Sequence, residues 1–266
     1  MLSLKAGDIG GALRLAQQAV NIDPAMVSAY LPLATATALT NPAAARAPYE
    51  RLATIAPAGP ALAATGLADL ALYEHRPADA IELLQPTLTN PAHMTQGPML
   101  ANQYMTMAEA QMDLGHAEEA LTSVDQALGA ARTESVLVPA ARLLASLNHR
   151  EEAMQLANEL AAQAFESGGG YAAIIEAELA MQRGEMAAAI ALLRASIARD
   201  DLWLAHFVLG TALLQDGRYD EAVAELELCE RRRGEAAQLF TDDVPTLRYL
   251  ADLSPLLERA RRGALR

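Results

Sequence analysis

The sequence predicts an all-α array, a solenoid of stacked helical hairpins. Three observations carry that expectation. Alanine-centred motifs recur with a period a little above thirty residues, and such periods belong to repeat architectures. A residue suited to positive φ stands at a fixed distance before most of them. Apolar residues fill 52% of the 266-residue chain while aromatics fill only 4%, so the apolar share is mostly Ala and Leu, the strongest helix formers.

The period is anchored on Ala12, Ala45, Ala80, Ala120, Ala153, Ala189 and Ala222, at steps of 33, 35, 40, 33, 36 and 33 residues. Five residues before each anchor stand Gly7, Thr40, His75, Gly115, Asn148, Gly184 and Gly217. Four glycines and an asparagine at one position fit a chain reversal through left-handed backbone. Twelve residues before the anchors from Ala45 onward lie Leu33, Ala68, Ala108, Ala141, Ala177 and Gly210. Small side chains there let two helices approach closely. Each unit therefore reads as a helix, a short turn and a second helix, with apolar residues three and four apart. One hairpin cannot bury its apolar stripe alone, whereas stacked neighbours can.

Taken in order, LSLKAGDIGG (2–11) reads as the tail of a first helix whose beginning is absent, so the chain is expected to start inside a repeat or to have an unusually short first helix. The unit at 25–58 lacks the turn glycine and carries Pro32 and Pro48. The stretch TNPAHMTQGP (89–98) lengthens one joint, Pro139 marks the unit at 134–166, and GGG (168–170) reads as a flexible joint. The clearest unit is DLWLAHFVLGTALLQ (201–215) followed by YDEAVAELELCERR (219–232). About seven hairpins are thus expected over 1–240, the first incomplete, with a capping helix or half repeat over 241–266.

LGTALLQDGRYDEAVAEL (209–226) resembles the tetratricopeptide repeat, through Leu209, Gly210, Gly217, Tyr219, Ala222 and Leu226. AQQAVNIDP (16–24) and YERLATIAP (49–57) resemble that family's repeat ending, with Pro24 and Pro57 closing the second helix. The likeness runs through nearly the whole chain and implies a right-handed superhelix. The tail 229–265 is similar to the ends of tetratricopeptide arrays in bacterial multidomain signalling proteins, notably kinase-linked ones. Asp242, Asp243, Pro245, Arg248, Tyr249, Leu250, Leu257, Arg259, Ala260 and Gly263 keep that outline.

Composition narrows the function. A net charge of −13 repels phosphate backbones and argues against general nucleic-acid binding. No apolar run approaches the roughly 18–20 residues of a bilayer span. A single cysteine, Cys229, cannot form an internal disulfide or a thiolate metal site alone, so a reduced, cytoplasmic setting is expected. No phosphate-binding loop, dinucleotide fingerprint, nucleophile elbow or HExxH pair is present. His116 and His149 occupy equivalent turn positions and read as exposed, because stacked repeats place such groups roughly 10 Å apart, too far to share an ion. His206 reads as a packing residue, Cys229 as core filler, and Glu109 with Asp113 as a solvated acidic face. The Arg231–Arg233 run reads as a solvated helix end. Neither catalytic residues nor a metal or cofactor is expected.

A tetratricopeptide array implies a concave face lined by its first helices. Counting 18, 15, 11, 8 and 7 residues before each anchor gives Asp69, Leu72 and Tyr73, then Asn102, Met105, Glu109, Met112 and Asp113. Arg142 follows, then Tyr171, Ile174, Glu178 and Met181, and finally Phe207. Met and aromatic side chains suit adaptable recognition. The carboxylates favour a peptide or protein partner with basic residues beside apolar anchors. Only Arg142 and Asn102 have chemistry suited to clamping a carboxylate terminus, which argues against that role. The expected function is a non-enzymatic protein-binding module. The alternatives are a sensory or docking region of a signalling protein and an accessory array of a transferase. Self-association through terminal repeats is a further expectation.

Overall fold

Helix is the only regular structure among the described residues, which in the computed structural model are 2–89, 97–163, 167–238 and 244–265. Helix formers set apart by turn residues dictate that outcome. The helices fall into two units, and the chain leaves the second unit once to rejoin the first.

The first unit holds residues 1–131 and 233–248. Its helices pair as α1 (Leu2–Lys5) with α2 (Ile9–Ile22), α3 (Val27–Thr40) with α4 (Arg46–Leu52), α5 (Gly59–Tyr73) with α6 (Pro77–Thr89), and α7 (Pro98–Asp113) with α8 (Ala117–Ala130). The second unit holds 132–232 and 249–266. It pairs α9 (Glu134–Ser146) with α10 (Arg150–Ala162), α11 (Gly168–Gln182) with α12 (Met186–Arg199), and α13 (Trp203–Gln215) with α14 (Tyr219–Arg231), and adds α15 (Leu250–Ala264). Within each unit, neighbours in sequence are neighbours in space, as expected of a solenoid.

The turns repeat one hydrogen-bonding scheme. Gly7, Gly115, Gly184 and Gly217 have φ between 77 and 80°, and Asn148 and His75 have φ of 68 and 55°. In the α7–α8 turn the Gly115 N–H donates to the Met112 carbonyl and the His116 N–H to the Gln111 carbonyl, both at 2.9 Å. That double bond satisfies two helix-end carbonyls and needs a left-handed residue between them. The same long-range bond recurs at Asp8, Arg76, His149, Glu185 and Arg218. Thr40 is the exception. A β-branched residue resists positive φ, so α3 ends through extended Asn41 (φ −149°) and a 3-10 turn at Pro42–Ala44.

The packing follows the sequence periodicity. All seven anchor alanines are at most 4% exposed. At the small position facing them, a Cβ on Gly210 would lie 2.8 Å from the side chain of Leu226, so only glycine allows that close a crossing. The three glycines at 168–170 form the first turn of α11 and do not stand between helices. A Cβ on Gly170 would lie 2.8 Å from Leu202, so close packing, and not freedom of movement, accounts for its lack of a side chain. Pro32 and Pro139 sit inside α3 and α9 without ending them. Most of the joint read at 89–98, with His93, lies outside the described residues, as do Asp242, Asp243 and the boundary read near 240.

Helix α15 buries Leu253, Leu257 and Ala260, one helical stripe, and packs on α13 and α14. Gly263 is required by the same contact, because a Cβ there would meet the ring of Tyr219 at 2.3 Å. No described helix is long and apolar enough to cross a membrane.

Candidate protein-binding face

The inner positions of the first unit lie on α5 and α7. Asp69 and Glu109 occupy the same repeat position, eleven residues before their anchors, and thereby set two carboxylates in one row. Asp69, Asn102 and Met105 are at most 5% exposed. Glu109 is partly buried and accepts a hydrogen bond of 2.5 Å from the Arg248 guanidinium. Met112 is half-buried and Asp113 exposed. Two of the inward assignments go to the hairpin core instead. Leu72 packs with Ala68, Ala80, Leu84 and Met107, and Tyr73 lies half-buried against Ala38, Ala45 and Leu70. Both sit in the last turn of α5, within reach of the neighbouring helices.

The partner of Glu109 comes from residues 233–248, the piece of chain that rejoins this unit. Arg233 donates to the carbonyl of Leu39 near the end of α3. Gly234 lies flat on the end of α1, where a Cβ would come within 2.2 Å of the Leu4 carbonyl oxygen. Ala236, Ala237, Gln238, Val244, Pro245, Thr246 and Leu247 are buried. The two described legs bond to each other: the N–H groups of Thr246 and Leu247 donate to Gln238 O at 3.2 and 3.1 Å, and Thr246 Oγ1 donates to Ala236 O at 2.9 Å. Gln238 Oε1 is buried with no hydrogen-bond partner among the described residues.

In the second unit the inner positions engage one another. Arg142 and Glu178, which stand where Asp69 and Glu109 stand in their repeats, form a forked ion pair with Nη2–Oε1 at 2.7 Å and Nε to both carboxylate oxygens at 3.0 Å. The Arg142 guanidinium also lies 4.5 Å from the centre of the Tyr249 ring, cation–π geometry. Tyr249 stacks on Phe207 at 5.7 Å, and Phe207 on Trp203 at 5.3 Å. The Trp203 indole N–H donates to the carbonyl of fully buried Cys229 at 3.0 Å. Tyr171 and Ile174 are 8% and 0% exposed, and Met181 is half-buried. The ring of Tyr249 thus lies against both the guanidinium of the forked pair and Phe207.

His206 is more than a packing residue. It is 6% exposed, and its two ring nitrogens lie 2.6 Å from Glu225 Oε2 and from Asp201 Oδ1. Burial alone disfavours the imidazolium, but the bonds to Glu225 and then Asp201 outweigh it and hold the pKa above the usual histidine range. Asp201 is held below the carboxylate range, first by His206 and then by Arg232. The Arg232 guanidinium donates to Asp201 Oδ1 at 2.9 Å and to its carbonyl at 2.8 Å. The arginine run that ends α14 is therefore not wholly solvated: Arg232 binds Asp201, Arg233 binds Leu39, and Arg231 remains exposed. His116 and His149 stand at the N-cap positions of α8 and α10, the first exposed and the second half-buried, beside Glu119 and Glu152.

Residues 176–237 match the family model for the tetratricopeptide repeat. That stretch contains α12 to α14, and the same hairpin recurs through both units. The chain carries tetratricopeptide repeats. Among solved structures it is similar to a chain of the APC/C hetero-tetramer Cut9–Hcn1, at 14% identity over 97% of this chain and a TM-score of 0.57. The chain spans 47% of that protein's length. It is also similar to a tetratricopeptide repeat protein from Parabacteroides merdae, at 17% identity over 96% of this chain and 90% of the other, with a TM-score of 0.47. The first likeness establishes a shared fold, and at that identity the fold alone. No curated protein matches the chain.

What the count back to the anchors misses is the stretch 233–248, whose described residues 236–238 and 244–247 are buried in the first unit. Its signal is buriable residues without helical period, Ala236–Ala237 and Val244–Leu247, placed after the last repeat.

Proposed function

We propose that the protein is a non-catalytic binding module whose tetratricopeptide hairpins hold a segment of another protein against their inner positions. One observation carries the reading. Arg248, from the stretch that rejoins the first unit, sets its guanidinium on the Glu109 carboxylate of α7, one of the proposed inner positions. The ring of Tyr249 likewise lies on Phe207 and Arg142. Basic side chains beside apolar or aromatic anchors are therefore the partner chemistry we favour, and a net charge of −13 steers such partners inward. Glu109, the better placed of the two carboxylates on α7, faces a guanidinium and not a substrate pocket, which supports a module without a reaction of its own. The proposal places the protein in a reducing cytoplasm, where lone Cys229 needs no disulfide. It also includes association of copies through the terminal hairpin, where Leu15 and Ile22 are 59% and 84% exposed. A clean monomer mass by light scattering at high concentration would remove that last part.

The test is selection from a displayed peptide library, repeated with Met112→Asp and Asp113→Lys. Selected peptides should be rich in Arg or Lys beside apolar residues, and each variant should weaken them by about tenfold, the effect of roughly 1.4 kcal/mol. Selection of acidic peptides, or full affinity in both variants, overturns the inner-face reading.

A further inference from the structure

The occupied state of the first unit says more than that a partner fits there. Residues 233–248 follow the last hairpin, yet they belong to the unit built from the first four. Their described residues before the 3-10 turn at Leu247, 233–238 and 244–246, lie in turns and irregular backbone. They touch three separate hairpins: Gly234 on α1, Arg233 on the end of α3, and Arg248 on α7. Solenoids bind through surfaces that run across several repeats, and the two described legs span three hairpins in that way.

The segment is also poorly matched as permanent core. Its anchors at 233 and 248 are a cation on a main-chain carbonyl and an ion pair near the surface, with Arg248 11% and Glu109 17% exposed at the side chain. Three hydrogen bonds link the two legs, from Thr246 and Leu247 to the carbonyls of Gln238 and Ala236. Segments with few regular hydrogen bonds occupy the low end of local stability.

We infer that the two described legs, 233–238 and 244–248, act as an internal ligand of the first unit, and that a partner segment presenting an arginine after small and aliphatic residues competes with them for Glu109. The inference rests on the binding-module reading and adds the class of partner and its competitor. Docking in cis lowers the affinity for anything in trans by the fraction of time the face is open. Releasing the segment raises it by the same factor.

Gly234 offers a way to release it without altering the inner face. A side chain there collides with the backbone of Leu4, so Gly234→Val should lift the segment while leaving Glu109 intact. The probe is a fluorescein-labelled synthetic peptide with the sequence RGEAAQLFTDDVPTLR, residues 233–248, added to the full chain and followed by anisotropy. The expected result is binding to Gly234→Val at least about tenfold tighter than to the unaltered chain, the factor for a face open no more than about a tenth of the time. Adding Glu109→Gln should abolish the gain, and so should replacing the peptide's last arginine by alanine. Where Gly234→Val lacks the helical circular dichroism of the unaltered chain, Arg248→Ala in the full chain takes its place with the same expectation.

Equal affinity for released and unaltered chains overturns the inference. So does an absence of peptide binding to a folded, released chain. In either case, library peptides that still bind through Met112 and Asp113 leave the binding-module reading standing. If those fail as well, both fall.

Discussion

Alanine substituted for glycine should change stability in opposite directions at two sites, and the difference measures how far the turns depend on left-handed backbone. Gly217 has φ of 78°, and a Cβ added there would meet nothing within 4 Å, so crowding plays no part. Holding an L-residue in that conformation costs about 1–2 kcal/mol, while the loss of freedom in the unfolded chain returns about 0.4–1 kcal/mol. Gly217→Ala should therefore destabilise by roughly 0.5–1.5 kcal/mol. Gly129 lies on the exposed side of α8, also with nothing within 4 Å. There alanine is better than glycine by up to about 1 kcal/mol in a helix interior, and about half of that is expected one residue from the helix end. Urea unfolding followed by circular dichroism reads both, with each variant compared at its transition midpoint and with unchanged slope. For a chain of this size, 1 kcal/mol corresponds to roughly 2–4 °C in melting temperature. Stabilisation at Gly217 comparable to that at Gly129 would refute the left-handed turn as the reason for glycine.

Other outcomes follow from the same contacts. His206 has a raised folded pKa, so its contribution is complete below the unfolded value near 6.5 and is lost as pH rises through the folded value. Stability should fall over that interval above pH 6.5 and the fall should vanish in His206→Gln, as melting curves across pH would show; an unchanged slope refutes the charged pairing with Glu225 and Asp201. Gly210→Ala should destabilise, despite alanine's helix propensity, because fully buried Leu226 cannot yield to a Cβ at 2.8 Å, and overpacking costs about 1–3 kcal/mol; a gain on thermal melting would contradict that crossing. Leu84, fully buried between α5, α6 and α7, should lose about 2–5 kcal/mol on change to alanine. Hydrogen exchange should place that loss in the first unit first.

How much is legible depends on what the residue answers to. Gly7, Gly115, Asn148, Gly184 and Gly217 answer to local backbone geometry, and the spacing alone locates their positive φ. Ala68, Ala108, Ala141 and Ala177 answer to a helix partner a few residues away in the next element, and they too are readable, being fully buried. Thr40 breaks the pattern because a different residue type demands a different turn. The count places Leu72 and Tyr73 inward because it treats every helix as equally rotated, and α5 presents them to its neighbours. The glycines at 168–170 resemble a linker by composition. Their reason for being small, Leu202 and Asp200 beside Gly170, lies some thirty residues away and leaves no local trace. The pairing of Arg248 with Glu109 spans still more of the chain. No periodicity encodes it, because it joins a non-repeating segment to one repeat among several similar ones.

The return of residues 233–248 to the first unit has a consequence for biosynthesis. Nearest-neighbour arrays can settle as they leave the ribosome, each new hairpin closing on the one before. Here one piece of the first unit is translated only after α9 to α14, and until then Glu109 lacks Arg248 and the Leu39 carbonyl lacks Arg233. A nascent or prematurely ended chain would thus display a surface that the finished one keeps occupied.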